Sequence, residues 1–310
     1  MIKLFKILSI CFCILFFGTT SRSQQLLPAS TCGKLVRHAD FKSEYVQPRN
    51  VDVWLPDGYS KSTKYAVLYM HDGQMLFDSS TTWNKQAWFV DTTVCRLIAE
   101  NKIKNCIVVG IWNTPNRHAE YYPEKAYDLL SDKSQAEVGK YHSAEKILSD
   151  NYLKFIVKEL KPFIDKNYCT RKGRSGTFVA GSSMGGLISM YAVCEYPEVF
   201  GGAACISTHW PGVMPSDVSE DAGISMPDAF LQYLDNNLPL PSKHKIYFDY
   251  GTEAIDSNYK QYQVRADKII EERGYKRNVN LKTEEFAGKD HSEKSWGERL
   301  YIPLEFLLGK

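Results

Sequence analysis

Short apolar runs alternate with stretches of helical spacing along most of the chain. VDVWLP (51–56) alternates apolar and polar positions and predicts an early, partly exposed strand. YAVLYM (65–70), CIVVGI (106–111) and TFVAG (177–181) read as buried strands, and GAACIS (202–207), KIYFDYG (245–251) and LKTEEF (281–286) share their form. Between them, residues 88–100, 151–167, 184–196, 262–274 and 296–308 follow a helical period. In 151–167 that period puts Leu153, Ile156, Val157, Leu160 and Ile164 on one face, and Pro197 stops the third segment. Buried strands alternating with helices predict an α/β fold with a mostly parallel central sheet and helices on both faces. No repeat or linker invites a division, so residues 24–310 read as one domain. The polar, proline-bearing stretch 210–242 reads as a lid-like insertion.

Composition narrows the class. Lys and Arg number 38 against 36 Asp and Glu in 310 residues, and they are scattered, which argues against nucleic acid as a partner. Residues 1–23 stand apart from the fold. Two early lysines precede an apolar run from Ile7 to Phe17, then small polar residues around Ser21, Arg22 and Ser23. The run is shorter than the roughly 20 residues of a membrane span. A cleaved signal peptide and a secreted or periplasmic protein are expected, with no other membrane association. An exported chain can pair some of Cys32, Cys95, Cys106, Cys169, Cys194 and Cys205. Neither C-x-x-C nor H-E-x-x-H occurs, so no metal is expected. Cys194 and Cys205 read as small buried hydrophobes.

The chemistry centres on VAGSSMGG (179–186). In G-x-S-x-G the serine sits on a tight turn between a buried strand and a helix, and the glycines remove side chains that would collide there. Centring the pattern on Ser183 puts Gly181 and Gly185 at those positions; centring it on Ser182 puts Ala180 and Met184 there. Ser183 is the candidate nucleophile. A serine hydroxyl needs a base, and His291 lies after the last strand and before the last helix. His38 comes too early, His118 and His142 precede the serine, His244 precedes a strand, and His209 comes before any acid-bearing loop. The acid belongs on a loop between the two, at the end of a strand. GTEAIDSNY offers Asp256, favoured, and Glu253, while Asp249 inside the strand reads as a satisfied structural carboxylate. An oxyanion hole needs backbone N–H groups from Met184 and from the loop HDGQMLFD, where Gly73 allows close approach and Gln74 or Met75 donates. His71 and Asp72 read as framework residues at the pocket.

With MHDGQMLFD, GIWNTPNRHAEYYPEKAY, VAGSSMGGLISMYA, FDYGTEAIDSNY and GKDHSEKSWGERLYIPLEFLL in this order, the chain resembles the putative-esterase family of α/β-hydrolases from about Ser43 to its end. That family includes siderophore, feruloyl and acetylxylan esterases, S-formylglutathione hydrolases and mycolyltransferases. The resemblance implies an α/β-hydrolase fold, Ser183 as nucleophile, His291 as base, an acid in the GTEAID loop, and no cofactor. It implies that Arg117, Glu120 and Tyr121 shape the pocket rim. Met75 stands where relatives often carry Asn, which alters what the pocket accepts. Trp83, Trp88, Trp210 and Trp296 are candidates for an aromatic wall, Trp296 foremost because it lies beside His291. The expected function is a secreted serine esterase acting on a small-molecule or polysaccharide ester, with an acetyl or feruloyl group on a carbohydrate preferred. A siderophore esterase, an acyltransferase and a catalytically silent ligand-binding module are the alternatives.

Overall fold

A computed structural model of the chain describes residues 26–142, 144, 146–214 and 225–310. The apolar runs become eight strands of one sheet: β1 (Lys34–Phe41), β2 (Arg49–Leu55), β3 (Ala66–Met70), β4 (Cys106–Ile111), β5 (Thr177–Ser182), β6 (Gly202–Ile206), β7 (Lys245–Gly251) and β8 (Leu281–Phe286). Their spatial order is β1-β2-β4-β3-β5-β6-β7-β8. β1 pairs antiparallel with β2 and β2 with β4, and every pair from β4 onward is parallel. This is the α/β-hydrolase architecture. Because side chains alternate across a strand, each buried run supplies both faces at once. Tyr69, Val109, Val179 and Phe248 pack under the helices Met184–Glu195, Met226–Asn237 and Lys260–Glu272. Leu68, Val108, Phe178 and Tyr247 face the helices Val90–Ala99 and Tyr301–Leu308.

Several elements depart from the sequence reading. β1 was not foreseen, because KLVRHADF is an edge strand with only Leu35 buried. β2 is buried almost throughout rather than partly exposed, since Val51, Val53 and Leu55 pack into one core layer and Trp54 into the other, while β1 takes the edge. β8 forms the other edge and keeps only Leu281 buried. The predicted last helix divides into Glu293–Arg299 and Tyr301–Leu308. Pro303 has no N–H to give the Arg299 carbonyl, which interrupts the hydrogen-bond ladder at this point. The stretch 210–242 is not a detached lid in its described part. Trp210 is buried, and Met226–Asn237 is a helix that puts Phe230, Leu231 and Leu234 into the core. Residues 215–224 of it, and residues 1–23, lie outside the described residues.

A disulfide joins Cys32 to Cys95 across 63 residues, tying the segment before β1 to the helix Val90–Ala99. Cys194 and Cys205 are free and buried, as expected of packing residues, and so is Cys106; Cys169 is free and half-buried. Among the described residues, no helix is long and apolar enough to cross a membrane.

Candidate active site

β5 ends at Ser182, and the helix Met184–Glu195 begins one residue later. Ser183 is all that separates them, and it takes φ 58° and ψ −124°. A non-glycine residue avoids that region, at a cost of about 1–3 kcal/mol. The turn is held from both sides. Ser183 N–H donates to Ile206 C=O at 2.9 Å, and the Ser183 carbonyl accepts from Gly186 N–H and His209 N–H. A Cβ on Gly181 would stand 2.8 Å from Gly185 O, so the helix seats on the strand only without it. The spacing argument needs one amendment. A Cβ on Gly185 would meet nothing closer than 3.5 Å, whereas one on Gly186 would press against Thr208 Oγ1 at 2.8 Å.

The loops after β7 and β8 bring a histidine and an acid together. Lys289 C=O accepts from Thr252 N–H and Glu253 N–H, each at 3.0 Å, and a Cβ on Gly251 would collide with that carbonyl. The glycine therefore permits the two loops to meet. His291 Nδ1 then lies 2.5 Å from Asp256 Oδ1. The other carboxylate oxygen accepts from Ser207 Oγ at 2.5 Å and from Gly251 N–H at 2.8 Å. Burial opposes the charge on Asp256, but the hydrogen bonds from His291 and Ser207 outweigh it and hold the carboxyl below its usual range. Glu253, the alternative acid, is exposed, and among the described residues the carboxylate on His291 is that of Asp256. Trp296 and Tyr259 meet the His291 ring edge-on, with centroids 4.9 and 5.8 Å away. Ser207, unforeseen from sequence, also accepts from Trp296 Nε1 and Arg299 Nη2, and Arg299 binds Asp249 at 2.9 Å. Asp249 is the satisfied buried carboxylate that its place in the strand implies.

On the other side of Ser183 stands Asp72, at the end of β3. Arg117 Nε and Nη2 reach its two oxygens at 2.7 and 2.8 Å, and Asn113 Nδ2 adds a third bond at 2.6 Å. Burial works against the Asp72 charge, and Arg117 reverses it, so this carboxyl also lies below its ordinary value. The residues Gly73–Met75 form a single 3-10 turn. Met75 N–H is spent on Asp72 C=O at 2.9 Å, while Gln74 N–H and Met184 N–H have no acceptor among the described residues. Free donors at those two positions suit an oxyanion, and Gln74 is preferred to Met75 on this ground.

A pocket of about 300 Å³ collects these parts: Ser182, Ser183, His291, Asp72, Gln74, Met75, Arg117 and Trp296 line it, with Trp83 and Trp88. Trp83 is 84% exposed at the rim. Its loop is pinned to the histidine side by Asn84 Nδ2 donating to Glu293 at 2.7 Å. Four expected pocket residues do not line it. Trp210 is in the core against Phe230 and Phe248, with its indole N–H on Gln263. Tyr121 is fully buried, 5.0 Å beneath the Arg117 guanidinium. Glu120 is spent on Arg49. His71 is buried beside Tyr152, whose hydroxyl lies 2.8 Å from Nδ1, and burial pushes its pKa down to about 3.

The model of the family described as "Putative esterase" matches residues 43–306, the stretch that contains every group above. The chain belongs to that family. An endo-1,4-beta-xylanase/feruloyl esterase of Xylanibacter ruminicola is 32% identical over 172 residues, 54% of this chain and 20% of that protein. The chain spans between a fifth and three fifths of the length of the curated relatives it matches. Among solved structures, a ferulic acid esterase of the anaerobic fungus Anaeromyces mucronatus superposes with a TM-score of 0.59 at 20% identity, covering 92% of each chain. The enterobactin esterase of Shigella flexneri gives 0.61 at 18% identity, covering 90% of this chain and 60% of that one. At those identities the likeness concerns the fold.

Proposed function

We propose that the chain is an exported serine esterase that cleaves a carboxylic ester, with an acetyl or feruloyl group on a carbohydrate as the preferred substrate. The reading rests above all on the His291–Asp256 hydrogen bond beside a strained Ser183 in one pocket. With Nδ1 engaged by Asp256, His291 keeps Nε2 as its free proton acceptor. Ser183 Oγ attacks the ester carbonyl and gives its proton to Nε2, and Asp256 stabilises the imidazolium. Met184 N–H and Gln74 N–H receive the oxyanion, each such donor being worth about 3 kcal/mol in the transition state. The tetrahedral adduct collapses, and the alcohol departs with the proton from His291. Water then attacks the acyl-enzyme by the same route, releasing the acid and restoring the Ser183 hydroxyl. The aromatic surface of Trp83, Trp88 and Trp296 favours a flat acyl group or a sugar ring. The Cys32–Cys95 disulfide favours an oxidising compartment and so agrees with export.

The test is hydrolysis of short-chain p-nitrophenyl esters, followed by feruloylated sugars, acetylated xylan and siderophore lactones. Ser183→Ala is expected to lower kcat by about 10⁴-fold or more while melting like the wild type. Retained activity in that variant would remove the assignment.

A further inference from the structure

We infer that a second groove, beside the site pocket, binds a neutral oligosaccharide chain and so holds the alcohol side of the ester; the role, though not the binding, rests on the esterase reading. The groove has a volume of about 840 Å³, against about 300 Å³ for the site pocket, and Asn113 belongs to the walls of both.

Topology puts the two on one edge of the sheet. β3, β4 and β5 are parallel, so Asp72, Asn113 and Ser183 emerge from the same end. β2 runs the other way, and its beginning reaches that end: Trp112 N–H donates to Asn50 C=O at 3.1 Å. The end of β1 comes with it, Phe41 being paired with Arg49. β4 is two strands from β5, and β1 is two strands further. At about 4.8 Å per strand the groove starts about 10 Å from the nucleophile and ends about 20 Å away. A chain of sugar rings attached to the departing oxygen has that reach.

The lining decides the chemistry. Both arginines of the groove are already neutralised, Arg37 by Asp52 at 2.7 Å and Arg49 by Glu120 at 2.6 Å, and both acids are buried. A site for phosphate or another anion would leave such a charge available. What the groove offers instead is the exposed amide of Gln47, the exposed carboxylate of Asp40, and the apolar surfaces of Pro48, Pro115, Leu26 and Leu27. Trp112 is half-buried and its ring carries the Arg37 guanidinium 4.5 Å from its centroid, while the Thr114 hydroxyl is engaged by Glu120 and Asn116 N–H. Mixed hydrogen-bonding and flat apolar surface matches a pyranose, which has a rim of hydroxyls and faces of C–H groups.

Calorimetric titration of xylohexaose into the Ser183→Ala protein tests the groove without any hydrolysis. Binding is expected, with at least tenfold loss on adding Ala39→Trp, which fills the groove from an exposed position, and a smaller loss with Gln47→Ala. In the chain that retains Ser183, Ala39→Trp should leave kcat/KM for p-nitrophenyl acetate within twofold. No binding of xylohexaose, or binding indifferent to both substitutions, overturns the inference. Hydrolysis of p-nitrophenyl acetate by the wild type decides the esterase reading separately, because the titration does not depend on it.

Discussion

Two carboxylates flank Ser183, Asp256 fully buried and Asp72 half-buried, and they are built alike. Asp256 accepts from His291, Ser207 and Gly251 N–H, while Asp72 accepts twice from Arg117 and once from Asn113. In both, burial disfavours the charge and the partners restore it. The difference lies in the partner. An arginine does not release its proton near neutral pH, so the Asp72 pair is a fixed brace for the loop that carries Gln74. A histidine can pass a proton on, so under the proposed esterase reading the same carboxylate arrangement at Asp256 supports proton transfer. The acid does not choose the role; its neighbour does.

The largest effect that separates the two sides is expected at Asp256. Asp256→Asn removes the acceptor that orients His291 and should lower kcat by about 10⁴-fold, while Glu253→Gln stays within twofold. Steady-state kinetics on a p-nitrophenyl ester compares them, and a severe loss confined to Glu253→Gln would transfer the role. Asp72→Asn should act differently. It strands Arg117, which is about a third exposed, and is expected to cost about 1–3 kcal/mol in urea unfolding. Its activity should fall about tenfold through distortion of the Gln74 loop. A kcat loss equal to that of Asp256→Asn would erase the contrast between brace and relay.

His71 provides the smallest and sharpest comparison, since it is a buried histidine with no carboxylate on its ring. Burial holds its pKa at about 3, so the folded chain keeps it neutral while the unfolded chain protonates it near 6.5. The unfolded state therefore binds more protons between those values, and stability falls as pH drops through that window. At pH 5 this amounts to about 2 kcal/mol. Denaturant unfolding at pH 7 and pH 5 should show a smaller loss in His71→Asn than in the wild type. Asp72 and Asp256 act lower on the scale. Their depressed values add stability above the ordinary carboxylate range, and it is lost as pH falls through the folded values.

The parts legible in the sequence were those whose chemistry is local or ordered along the chain. Gly181 and Ser183 share one turn, and His291 had to follow the last strand. Asp256 is favoured over Glu253 in the sequence by its reach past Gly251, but its burial comes from the meeting of two loops at Lys289 and Gly251, which the sequence does not display. Ser207 and Arg299 were illegible because their meaning comes from contacts 49 to 92 residues away. Trp210 misled for the same reason: an indole after a strand reads equally as pocket wall or core, and Gln263 and Phe230 make it core. β1 carried too few buried positions to be read as a strand, yet it closes one edge of the sheet and a wall of the second groove.

The central claim is that Ser183, and not its neighbour Ser182, is the nucleophile that His291 activates. Both serines line the pocket, but Ser182 is the last residue of β5 and Ser183 holds the strained turn. Labelling with a fluorophosphonate, followed by peptide mass spectrometry, addresses this directly. The account predicts a single adduct on Ser183 that disappears in His291→Ala; an adduct on Ser182, or undiminished labelling without His291, would contradict it.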